Sequence, residues 1–174
     1  MKRLAYLLAA VLVFAPACDD DDPVDPSVLL PLRFTADLRP SNEVPPVTNA
    51  DSGASGMMTV TITVTRDSSN NVTAVNSLDF VVNMAGFPAG TVLTGAHIHA
   101  APAGSNAGVF INTGLAAGEV TLGPGSGSFT ETVTSGVTVE QVQNMVNNPA
   151  GYYFNVHTQI NLAGAIRGQL VRVQ

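Results

Sequence analysis

From Leu32 onward, apolar and polar residues alternate with a period of two. Met58, Val60, Ile62 and Val64 interleave with Thr59, Thr61, Thr63 and Thr65, giving one strand a greasy face and a hydroxylated face. Arg66-Asp67-Ser68-Ser69-Asn70-Asn71 follows, a run of turn formers suited to a hairpin loop. The next strand is expected from about Val72 to Met84, with Leu78, Phe80, Val82 and Met84 on one face. Leu32 to Leu38 makes a first strand with Phe34 and Ala36 inward. Val92 to His99, Val109 to Asn112, Phe129 to Val133, Tyr152 to Thr158 and Ala165 to Val173 make the others, with Gly or Pro in every gap. Helical spacing occurs once, where Val139, Val142 and Val146 fall at i, i+3 and i+7. Thr138 is placed to cap that helix and Pro149 to stop it. About eight short strands and one short helix predict an all-β domain, a Greek-key sandwich or barrel, over residues 32–174. No repeat of fixed length is present.

The first 31 residues follow other rules. Lys2 and Arg3 precede an unbroken apolar run from Leu4 to Phe14, and Ala15-Pro16-Ala17 comes next. The run is shorter than the roughly 20 residues that a spanning helix needs. Positive charge, short apolar stretch and small residues in that order read residues 1–17 as a secretory signal peptide. Cys18, the one cysteine of the chain, has no partner for an internal disulfide. Its place just after the small residues fits a bacterial lipoprotein, with the thiol lipidated and Cys18 the mature N-terminus. Ala15 stands where such sequences usually have Leu, and ordinary cleavage after Ala17 is the alternative. Residues 18–31 then read as the lipidated cysteine and a tether, because Asp19-Asp20-Asp21-Asp22 repel one another and Pro23 and Pro26 remove backbone donors. An EF-hand calcium loop fails on the position of its Gly and Glu. The expected location is the bacterial cell envelope, periplasmic or surface-exposed, with the membrane as a partner through the anchor.

Charge narrows the remaining partners. The formal net charge is −6, and without residues 1–17 five Arg face thirteen Asp and Glu, 5 − 13 = −8. Such a surface is repelled by phosphate backbones, so nucleic acid is excluded and an unidentified protein or glycan is left. Catalytic patterns are missing too: there is no Gly-x-Ser-x-Gly elbow, no phosphate loop and no thiol after residue 18.

The polar residues of interest gather in three segments: Asn42-Glu43-Val44-Pro45-Pro46, Ala96-His97-Ile98-His99, and Asn155-Val156-His157-Thr158 with Gly164-Ala165-Ile166-Arg167-Gly168-Gln169-Leu170. All three histidines lie in these segments. If Ala96 and Ile98 face the core, His97 and His99 share the other face; inward Phe154 and Val156 likewise put Asn155 and His157 outside, and inward Ile166 and Leu170 put Arg167 and Gln169 outside.

Together with Tyr153-Phe154, these segments resemble the chordin-domain (CHRD) family from about Leu32 to Val173. Ala165 stands where that family often has Glu, so no carboxylate role is carried over to this position. The resemblance implies a compact β domain in exported proteins. Animal chordins carry several copies and bind growth factors, whereas bacterial members commonly hold one copy and have no established activity.

The histidines admit two readings. In the first, the domain is a non-enzymatic binding or structural module, and the histidines hydrogen-bond across strands while Glu43 and Arg167 form an ion pair that pins the first loop to the last strand. In the second, His97 and His99, about 6.6 Å apart along a strand, join His157 on one copper or zinc ion. Glu43 and Asn155 then support the ligands from behind. Gly95-Ala96-His97-Ile98-His99 is also locally similar to copper/zinc superoxide dismutase, but that enzyme needs more histidines and a cysteine pair than this chain has.

Overall fold

The computed structural model describes residues 31–174, so the signal, Cys18 and nearly all of the tether lie outside the described residues. Ten strands run in chain order: β1 Leu32–Leu38, β2 Ser55–Arg66, β3 Val72–Ala85, β4 Thr91–His99, β5 Val109–Asn112, β6 Thr121–Leu122, β7 Gly127–Val133, β8 Tyr153–Thr158, β9 Asn161–Gln169 and β10 Val171–Arg172; helix α1, Val139–Asn147, precedes β8. One sheet has the order β10-β1-β2-β3-β7 and the other β5-β4-β8-β9, with β6 added to β4. Every pairing is antiparallel. The two sheets form a sandwich and do not close into a barrel, which settles the two architectures left open by the pattern.

Parity worked as expected. Phe34, Ala36, Leu38, Met58, Val60, Ile62, Leu78, Phe80 and Val82 from one sheet meet Ala96, Ile98, Phe154, Val156 and Ile166 from the other, all buried. Phe80 stacks on Phe154 across the sandwich with ring centroids 6.0 Å apart. Each of these side chains larger than Ala contributes about 1.5–3 kcal/mol by leaving water. The β2–β3 turn is organised by Asp67, whose Oδ1 accepts from the backbone N–H groups of Ser69 and Asn71 at 2.9 Å each. In α1, Thr138 and Gln141 form a reciprocal capping box, with distances of 2.8 and 3.1 Å.

The C-terminal strand differs from the single element expected over 165–173. It breaks at Leu170, whose N–H donates to Tyr152 O at 2.9 Å, and Val171 and Arg172 then pair with β1 in the opposite sheet. At the same corner Arg39 and Arg167 exchange backbone hydrogen bonds of 2.9 and 3.1 Å. The close crossing is possible because Gly168 has no side chain: a Cβ there would collide with the backbone of Asp37.

Candidate functional site

The central pair of the second sheet, β4 and β8, brings together segments 60 residues apart. Cα partners across it are His97 with Asn155, His99 with Tyr153 and Gly95 with His157. Asn155 is in turn opposite Arg167 on β9. His97, Asn155 and Arg167 therefore form one row across the sheet, on the face opposite Ile98 and Phe154, and His99 and His157 flank it.

That face was expected to be open. It is covered: His99, Asn155, His157 and Arg167 are all buried, and only His97 among them is half-buried. Two segments cover it, the stretch after β1 that carries Glu43 and the stretch between β4 and β5. Alternation reports which side of a strand a residue takes, whereas a loop folded over that side leaves no mark on the period.

Arg167 corrects a second expectation. Among the described residues the one ion pair within 4.0 Å is Asp37–Arg39, so Glu43 and Arg167 do not pair. The guanidinium instead donates to Ser105 O at 2.8 Å, Pro102 O at 3.1 Å, Asn106 Oδ1 at 3.1 Å and Gln169 Oε1 at 3.3 Å. Its Cζ lies 3.4 Å from the centre of the Tyr153 ring. Asn106 continues the tie, donating to Val44 O at 2.7 Å. The first loop is held to β9 by Asn42 Nδ2, which donates to Arg167 O at 3.0 Å. Carbonyl partners carry no residue-type signal, so the sequence had no means of pointing to them.

The three imidazoles meet. Their candidate ligand atoms all lie within 4.8 Å of one another. His157 Nδ1 donates to Leu162 O at 2.9 Å and His99 Nδ1 to Ala107 O at 3.0 Å, since a carbonyl can only accept. In the neutral rings each Nε2 then keeps its lone pair. His97 Nδ1 is 3.0 Å from His157 Nε2. Two nitrogens on one zinc or copper ion, at about 2.0–2.1 Å each, are roughly 2.9–3.4 Å apart for bond angles between 90° and tetrahedral. The ring pair is therefore already spaced for a common ion, with the His99 ligand atom within 4.8 Å of both. The ring of His97 leans back over Gly95, where an added Cβ would stand 3.1 Å from Cε1.

Electrostatics favour the ligand form. Burial lowers the His97 pKa to about 4, helped by the fields of His157 and His99. Burial also lowers that of His157, against the bond to Leu162 O. Both rings are neutral at pH 7, as metal binding requires. Glu43 is also buried, and desolvation raises its pKa to about 7, while Arg167 and the Asn155 amide pull it down. A cleft of about 560 Å³ opens beside Glu43, with Ser41, Asn42, Gly104 and Gln169 in its wall; no histidine lines it.

Asp51 was missed by the sequence reading. Fully buried, it accepts from Thr158 Oγ1 and Asn161 Nδ2, both at 2.7 Å, and so holds the β8–β9 turn beside His157 and Leu162. A lone Asp in a loop 107 residues from its partner has no local pattern to betray it.

Comparison with known proteins adds one match. A family model described as CHRD domain covers residues 34–170, and so takes in every residue of the site and every strand but β10. No curated protein matches the chain, and no solved structure does.

Proposed function

The chain belongs to the CHRD domain family, and on that premise we propose that it is an exported module that binds one copper or zinc ion through His97, His99 and His157. The observation that carries this is the pinning of two rings by backbone carbonyls at Nδ1, with both Nε2 atoms left for a common ion. Metal-binding histidines are held in this way, because the outer hydrogen bond selects the tautomer and fixes the ring plane. A purely hydrogen-bonded cluster is the competing role, as His97 Nδ1–H can donate to His157 Nε2 without any ion.

Reconstitution separates the two. After dialysis against zinc or copper, metal analysis of the full chain is expected to find one equivalent, and the ion is expected to raise the unfolding free energy by about 2.7 kcal/mol when present at 100 times its Kd. Less than about a tenth of an equivalent, with unchanged melting, sinks the metal-binding role and leaves a structural cluster.

The N-terminal features support a membrane tether: an acidic, proline-containing stretch follows Cys18 directly. Cys18→Ser is expected to move the expressed protein from the detergent phase to the aqueous phase; unchanged partitioning would refute lipidation.

A further inference from the structure

Asn155 adjoins the histidine cluster. It is the direct cross-strand partner of His97, lies two residues from His157 on the same face of β8, and points Oδ1 at His99 Nε2 from 3.0 Å. The side chain is 1% exposed.

Both atoms of that last contact are held from behind. His99 Nδ1 already donates to Ala107 O, so a neutral His99 presents a bare lone pair at Nε2. The Asn155 amide is turned so that Nδ2 faces Ala163 O, at 3.5 Å, and the Glu43 carboxyl. The Ala163 carbonyl accepts, and so does Glu43 when its carboxyl is ionised, which selects Nδ2 for that side and leaves Oδ1 for His99. Gly164 makes this packing possible, since a Cβ there would lie 2.6 Å from Asn155 Nδ2 and would collide with Glu43 Oε1. The 3.0 Å contact between Nε2 and Oδ1 is closed either by a proton on Nε2 or by a cation lying between the two atoms.

We propose that Asn155 Oδ1 is the fourth ligand of the ion held by His97, His99 and His157, giving a closed N3O site. This rests on the three-histidine reading above. The 3.0 Å between Nε2 and Oδ1 suits two ligands on one ion, with bonds of about 2.0–2.2 Å. A hard amide oxygen beside three imidazoles suits zinc(II) or copper(II) and disfavours copper(I), which prefers sulfur. With four protein ligands no position is left for water or substrate, so the ion is stored or structural.

The test uses the full chain with zinc. One equivalent is expected to shift the side-chain 13Cγ resonance of Asn155 while leaving that of Asn42, which is bonded to backbone, in place. Asn155→Ala is expected to weaken zinc binding by about tenfold or more, and Asn155→Asp, which keeps an oxygen there, to restore it. Zinc binding to the wild type with no movement of that carbon, or with unchanged affinity in Asn155→Ala, overturns the fourth ligand and leaves the three histidines with water. Failure of the wild type to bind zinc overturns both proposals. Should Asn155→Ala not fold, the wild-type carbon shift decides alone.

Discussion

His157→Ala is expected to abolish uptake of the ion while leaving the domain folded. In the metal-free protein the ring makes two hydrogen bonds, donating to Leu162 O and accepting from His97 Nδ1–H. Leu162 is exposed, and His97 is half-buried, so water can replace the lost ring at both partners. The structural cost is then about 1–3 kcal/mol. The loss of a ligand acts on a different scale. The two nitrogens now 3.0 Å apart are reduced to one, and an ion left with His97 and His99 would lose most of its binding free energy. Titration calorimetry with zinc, together with chemical unfolding of the metal-free protein, reads both quantities on one sample. A variant that binds zinc as the wild type does would show that His157 is no ligand. A variant that loses zinc only because it unfolds would leave the ring a structural role alone.

Arg167→Ala is expected to be the most destabilising single change on the covered face, at about 3 kcal/mol or more. The side chain is fully buried and donates to two backbone carbonyls and two side-chain oxygens. Truncation removes four hydrogen bonds and the packing of a fully buried side chain against Tyr153, and it releases the exposed loop that carries Pro102, Ser105 and Asn106. For a domain of this size such a loss lowers Tm by roughly 10 °C. Arg167→Lys is expected to recover little, because one ammonium cannot match a planar fork that serves four acceptors and lies on a ring. The same loop supplies Ala107 O to His99, so zinc affinity should fall with the stability. An unfolding free energy within about 0.5 kcal/mol of wild type, the usual size of an inert surface change, would mean that the loop holds itself.

These two residues also mark where the sequence stops informing. Alternation along β4 and β8 correctly put His97 and His157 on the face away from Ile98 and Phe154, because side-chain direction in a strand depends on residue parity alone. The helix over 139–147 was equally legible, since its cap, its apolar spacing and its stop are local. So was the β2–β3 hairpin. Sheet order is not local. That β4 lies beside β8, in the register that opposes His97 to Asn155, follows from packing between segments far apart in the chain. The pattern of either segment alone would allow other neighbours.

The sequence by itself determined eight of the ten strands, though not the two-residue β6 or the separate β10, together with their buried faces, the helix and the residue types able to hold a metal, all of which depend on a residue and its near neighbours. The tertiary structure alone decided that the histidines share one spot, that two loops cover them, and that Arg167 binds carbonyls rather than Glu43. It also split the last strand between two sheets, where Gly168 crosses Asp37. Each of these depends on distances between groups remote in sequence, and only the packing of the whole domain sets them.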